Sequence, residues 1–116
     1  MHLDNAIAHC LSLPDVVEDT PFGPEVLVFK VGGKLFALTD PGEVPPALNL
    51  KCEPERALAL RDQYAAIQPG YHMNKRHWNT VTLDGTLPAK LVLELIDHSY
   101  ELVVKGLPGK RQRTRG

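Results

Sequence analysis

Lysine and arginine are missing from the first 29 residues, a stretch that holds Asp4, Asp15, Glu18, Asp19 and Glu25. Long apolar runs are missing too. Asp, Glu, Lys, Arg or Pro interrupts every candidate stretch well short of the roughly 18 residues that a membrane span needs, so no membrane association is expected. The start, Met1-His2-Leu3-Asp4, has no basic region leading into an apolar one, which makes a secretory leader unexpected and the cytoplasm the expected compartment. Cysteine is scarce. Cys10 and Cys52 are too few for a disulfide scaffold and each sits in an apolar pattern, so both are expected to be reduced, buried, small hydrophobes.

Motifs of catalysis are absent as well. The only serines, Ser12 and Ser99, lie outside any Gly-x-Ser-x-Gly, and the chain has no phosphate-binding Gly-x-x-x-x-Gly-Lys loop, dinucleotide fingerprint or His-Glu-x-x-His. We therefore expect no enzymatic activity and no cofactor. His72 and His77 are five apart, on opposite faces if the strand is continuous, and no third ligand accompanies them, so no metal site is expected. Asp15, Glu18 and Asp19 lack the spacing of a calcium loop and are read as a solvated loop.

What is present is an ordinary globular composition, 43% apolar and 23% charged, in a length that suits one domain. Leu3, Ile7, Ala8 and Leu11 predict a helix near residues 3–12 that Leu13-Pro14 stops. Residues 14–25, with Pro14, Pro21, Gly23 and Pro24, read as a loop. Residues 26–31 and 34–39 are β-rich runs joined by Gly32-Gly33, a tight hairpin turn, and the alternation at Leu48, Leu50 and Cys52 adds a third strand. Pro54 opens a helix over about 54–65. Tyr71-His72-Met73-Asn74 and residues 78–83 supply two further strands, and Pro88 opens a last helix with Leu91, Leu95, Ile96, Tyr100 and Val103 on its apolar face. His98 is read as a structural hydrogen-bonding residue, and His2 and His9 as surface groups. The expected architecture is an α+β two-layer sandwich, an antiparallel sheet with helices in the order α-β-β-β-α-β-β-α. Residues 1–108 form the expected domain and residues 109–116 a basic, disordered tail.

Five segments in order resemble the MmcQ/YjbR family: Pro21-Phe22-Gly23, residues 28–38, residues 50–54, residues 69–80 and residues 95–103, of which Pro69-Gly70-Tyr71-His72-Met73-Asn74-Lys75-Arg76-His77-Trp78-Asn79-Thr80 is the most specific. The resemblance implies a CyaY-like, secretion-chaperone-like fold. It further implies kinship with double-wing DNA-binding domains, whose curved sheet presents a concave face, and it brings no catalytic residues.

The stretch from Tyr71 to Asn79 gathers aromatics that can stack on bases, cations for phosphate and amides for base edges. Tyr71, His72, Asn74, Lys75, Arg76, His77, Trp78 and Asn79, with Lys110, Arg111, Arg113 and Arg115 of the tail, are the expected contacts of a DNA-binding surface, with nucleic acid the partner and a monomer the expected state. The competing expectation is a protein-interaction or small-ligand module. Without the four tail cations the formal charge falls from −1 to −5, and an acidic body repels a polyanion. A contiguous positive face around Lys75 would favour DNA, and an acidic or apolar groove there the alternative.

Overall fold

The computed structural model describes residues 1–71 and 73–108. Along the chain come α1 (Leu3–Ser12), β1 (Val16–Asp19), β2 (Leu27–Val31), β3 (Lys34–Thr39), β4 (Ala47–Lys51), α2 (Pro54–Gln63), β5 (Ile67–Pro69), β6 (Trp78–Thr82) and α3 (Ala89–Lys105). All strands pair antiparallel with their neighbours in one sheet of order β1-β2-β3-β4-β6-β5. The α+β sandwich is therefore as expected, with one strand more. Gly32 and Gly33 both take positive φ, 58° and 79°, the conformation a two-residue hairpin turn demands and side-chain-bearing residues resist.

The additional strand is β1, inside the stretch read as a loop. Its breakers, Pro14 and Pro21, flank the four strand residues and leave them free to pair. Asp15, at φ 63°, reverses the chain, and Val16–Asp19 then lies along Val28–Val31. The other difference is β5, which runs over Ile67–Pro69 rather than through Tyr71–Asn74. Residues 70–77 are the connection between β5 and β6.

One face of the sheet is covered by helices. Leu48 and Leu50 of β4, Val81 of β6 and Ile67 of β5 join Phe29 and Phe36 in the core with Val92, Leu95, Ile96, Tyr100 and Val103 of α3. Alternation leaves Ala47, Asn49 and Lys51, and across from them Trp78, Thr80 and Thr82, on the other face, all only partly buried. Cys10 and Cys52 are buried and free; burial pushes the Cys10 thiol up to about 12 and raises that of Cys52. His9, expected at the surface, is half-buried with Nε2 2.7 Å from Asp97, because α1 packs against α3.

Two side chains hold the start of α2. Glu53 accepts from the backbone N–H groups of Glu55 and Arg56, at 3.1 and 3.0 Å, which keeps its carboxyl below the usual carboxylate range. His98 reaches over from α3, and its Nε2 accepts from the Glu53 N–H at 3.1 Å. That bond needs the neutral ring, and burial, reinforced by Arg56, lowers the imidazole pKa. Because the folded state takes the proton less readily than the unfolded chain, this contribution is complete above the ordinary histidine value of about 6.5. It is lost as pH falls through the lowered folded value. Urea midpoints of the wild type should therefore drop between pH 7.5 and 5.5 more than those of His98→Gln, whose amide oxygen accepts without titrating. Parallel profiles would show that His98 is uninvolved.

Candidate ligand groove on the uncovered sheet face

The predicted contact residues that are described do not form one surface. Asn79 is buried at 2% exposure. Its Oδ1 accepts from Arg61 Nε at 2.7 Å and its Nδ2 donates to the Ala57 carbonyl at 3.4 Å, so Asn79 clamps α2 to β6 and is not a surface contact. Arg61 also donates to the carbonyls of Lys75 and Trp78, and Lys75 Nζ donates to the Gly70 carbonyl at 3.2 Å. The 70–77 connection is thereby tied to the domain. Asn74 closes its turn by accepting from the Arg76 N–H at 2.9 Å, while the His77 carbonyl accepts from Cys52 N at 2.8 Å. Lys75 and Arg76 are exposed and line a shallow depression with Arg61, Glu55, Leu58 and Pro54. Trp78 is half-buried on the uncovered face, opposite Lys51. His72, Lys110, Arg111, Arg113 and Arg115 lie outside the described residues.

Tyr71 belongs elsewhere. Gly70 brings the chain against β6, where a β-carbon would stand 2.7 Å from Trp78 Cβ and 3.0 Å from its carbonyl oxygen, a contact only glycine permits. Tyr71 then hangs from β6 through its N–H, which donates to Thr80 Oγ1 at 3.0 Å. Its ring edges a groove of about 1000 Å³ on the uncovered face. The floor is a cross-strand row, Leu38, Asn49, Thr80 and Gln68, set by pairing of β3, β4, β6 and β5. Three loops build the walls: Phe22 and Val26 before β2, Asp40 to Pro45 after β3, and Tyr71 and Met73 after β5.

Two observations give this groove its character. Six large apolar side chains are exposed among the described residues, and three of them, Phe22, Val44 and Tyr71, line it. Its charged residues are Asp40 and Glu43, with no lysine or arginine among the lining groups. Of these residues only Tyr71 was read as functional from the sequence, as a DNA contact. The available signal was Phe22 and Val44, apolar residues inside Pro-rich loops, where a solvated loop would carry polar ones.

A family model described as YjbR matches residues 11–102. The chain belongs to the YjbR family. The YjbR protein of Escherichia coli strain K12 is 34% identical over 113 residues, 97% of this chain and 96% of its own, and YbdF of Escherichia coli O157:H7 is 44% identical over 103 residues, 89% and 84% of the two chains. Both are described as uncharacterized proteins. Among solved structures, the Deinococcus radiodurans protein DR2400, with a DUF419 domain, superposes with a TM-score of 0.93 at 45% identity, covering 99% of this chain and 88% of that one. A Pseudomonas syringae protein superposes at 0.77 and 32% identity, covering 88% and 98%. No helix among the described residues is long and apolar enough to cross a membrane.

Proposed function

We propose that this YjbR-family chain is a binding module whose ligand occupies the groove on the uncovered sheet face. The observation that carries the reading is the convergence of Phe22, Val44 and Tyr71, three exposed apolar side chains from three different loops, on one concavity. Exposing such groups together costs solubility and is characteristic of a surface that another molecule covers. The groove's size and its mostly apolar lining with a few polar groups match ligand sites in general. Its acids and lack of cations disfavour a polyanion at that place.

DNA binding is the second reading, and a different surface supports it: the depression lined by Arg61, Lys75 and Arg76, near the Lys51–Trp78 pair. Two of those three cations already serve backbone carbonyls, which leaves Arg76 as the principal cation for phosphate.

Chemical-shift mapping on isotopically labelled full-length protein separates the readings. A library of neutral and cationic fragments is expected to shift amides of residues 38, 49, 71 and 80, and the shifts should vanish in Phe22→Ser/Tyr71→Ser, a pair of exposed positions whose replacement costs little stability. Duplex DNA at physiological salt should leave the groove unshifted. DNA shifts around Arg76 and Lys51 that persist at that salt, with no fragment in the groove, would reverse the order of the two readings.

A further inference from the structure

We infer that the groove's occupant is a short extended peptide segment of a partner protein that alternates apolar side chains with lysine or arginine. This inference rests on the groove reading above and specifies its ligand.

The floor presents the hydrogen-bonding complement of a peptide. Thr80 Oγ1 accepts from the Tyr71 N–H, so its own proton goes to Asn49 Oδ1 at 2.7 Å. That fixes the Asn49 amide with its NH₂ group away from Thr80, without a partner among the described residues. Gln68 is fixed in the opposite sense: its Nε2 donates to the Ala65 carbonyl at 2.8 Å, leaving Oε1 to accept. One side-chain donor and one acceptor thus flank Thr80 along the same cross-strand row, and each peptide unit offers one acceptor and one donor. From Leu38 to Gln68 the row crosses three strand spacings, roughly 14 Å, the length of about four extended residues.

Charge selects the side chains. Asp40 Oδ1 accepts from Gly42 N at 2.9 Å within its own loop; Asp40 and Glu43 have no ion-pair partner among the described residues, whose bridges are His9–Asp97 and Lys30–Asp19. Both carboxylates line the same groove as Phe22 and Tyr71. A lysine or arginine side chain lays its apolar stem on such rings and its charge by the carboxylates, whereas an acidic segment meets like charge.

The test is calorimetric titration of the full-length protein with three capped pentapeptides in which leucine and valine alternate with lysine, threonine or glutamate. The lysine peptide should bind roughly fivefold or more tightly than the threonine peptide at low salt, the margin of a pair of exposed ion pairs, and the margin should shrink as salt rises. The glutamate peptide should be weakest. Asp40→Asn/Glu43→Gln, which keeps the Asp40 turn, should erase the lysine margin while the threonine peptide still binds. A glutamate peptide as tight as the lysine one, or a lysine margin that survives Asp40→Asn/Glu43→Gln, overturns the inference. If fragments map to the groove and no peptide binds, the peptide assignment falls and the groove reading stands; if neither occupies it, both fall.

Discussion

Tyr100→Ala is expected to lower folding stability by about 3–5 kcal/mol, the range for removing a large aromatic from a core. Tyr100 is 1% exposed on α3, and its ring meets Phe36 of β3 edge-on, with centroids 5.4 Å apart and planes at 85°, the arrangement that sets the positive edge of one ring against the negative face of the other. Its hydroxyl donates to the Pro14 carbonyl at 2.6 Å and so anchors the turn between α1 and β1. Tyr100→Phe separates the two roles: it keeps the ring and should cost only about 1 kcal/mol, the net worth of one hydrogen bond. Urea denaturation of the two variants measures both figures. A loss below about 1 kcal/mol for Tyr100→Ala would mean that α3 is not packed on the sheet as described.

Ser99→Ala should cost about 2–4 kcal/mol, an unusual amount for the loss of one oxygen, because the buried Phe36 carbonyl depends on it at roughly 1–3 kcal/mol and the partly buried Lys51 N–H at somewhat less. The β3–β4 ladder runs only from Thr39↔Leu48 to Ala37↔Leu50. The Phe36 carbonyl and the Lys51 N–H lie beyond that β3–β4 register. The fully buried Ser99 hydroxyl serves both, donating to Phe36 O at 2.5 Å and accepting from Lys51 N at 2.8 Å. Hydrogen exchange gives a local readout. The Lys51 amide should exchange markedly faster in Ser99→Ala, relative to the change at Leu48, and an unaltered ratio would show that another group satisfies it.

Ser99 was noticed in the sequence only as a serine without a catalytic motif, and its role illustrates what a linear reading misses. A lone hydroxyl on an apolar helix face gives no sign that the pairing of two strands stops opposite it. Asn79 misleads in the other direction, since an amide beside cations and aromatics suggests a contact surface. Its partner Arg61 lies 18 residues earlier, on α2. The β1 strand was hidden by the prolines on either side of it. At four residues its own pattern is too short to outweigh them, and its pairing partners on β2 stand 9 to 15 residues further along the chain.

Local chemistry alone determined the helices, the Gly32-Gly33 hairpin, the alternating strands and the family, because periodicity and turn geometry are written in neighbouring residues. Kinship with the YjbR family was legible for the same reason, in contiguous segments such as residues 69–80. Which face of the sheet stays uncovered was decided by where α3 packs, and the groove exists because β3, β4, β6 and β5 bring Leu38, Asn49, Thr80 and Gln68 into one row while three loops lift Phe22, Val44 and Tyr71 around it. Those residues are scattered over nearly sixty positions of chain, from Phe22 to Thr80, and a cross-strand row has no sequence period of its own, so only the tertiary structure could gather them.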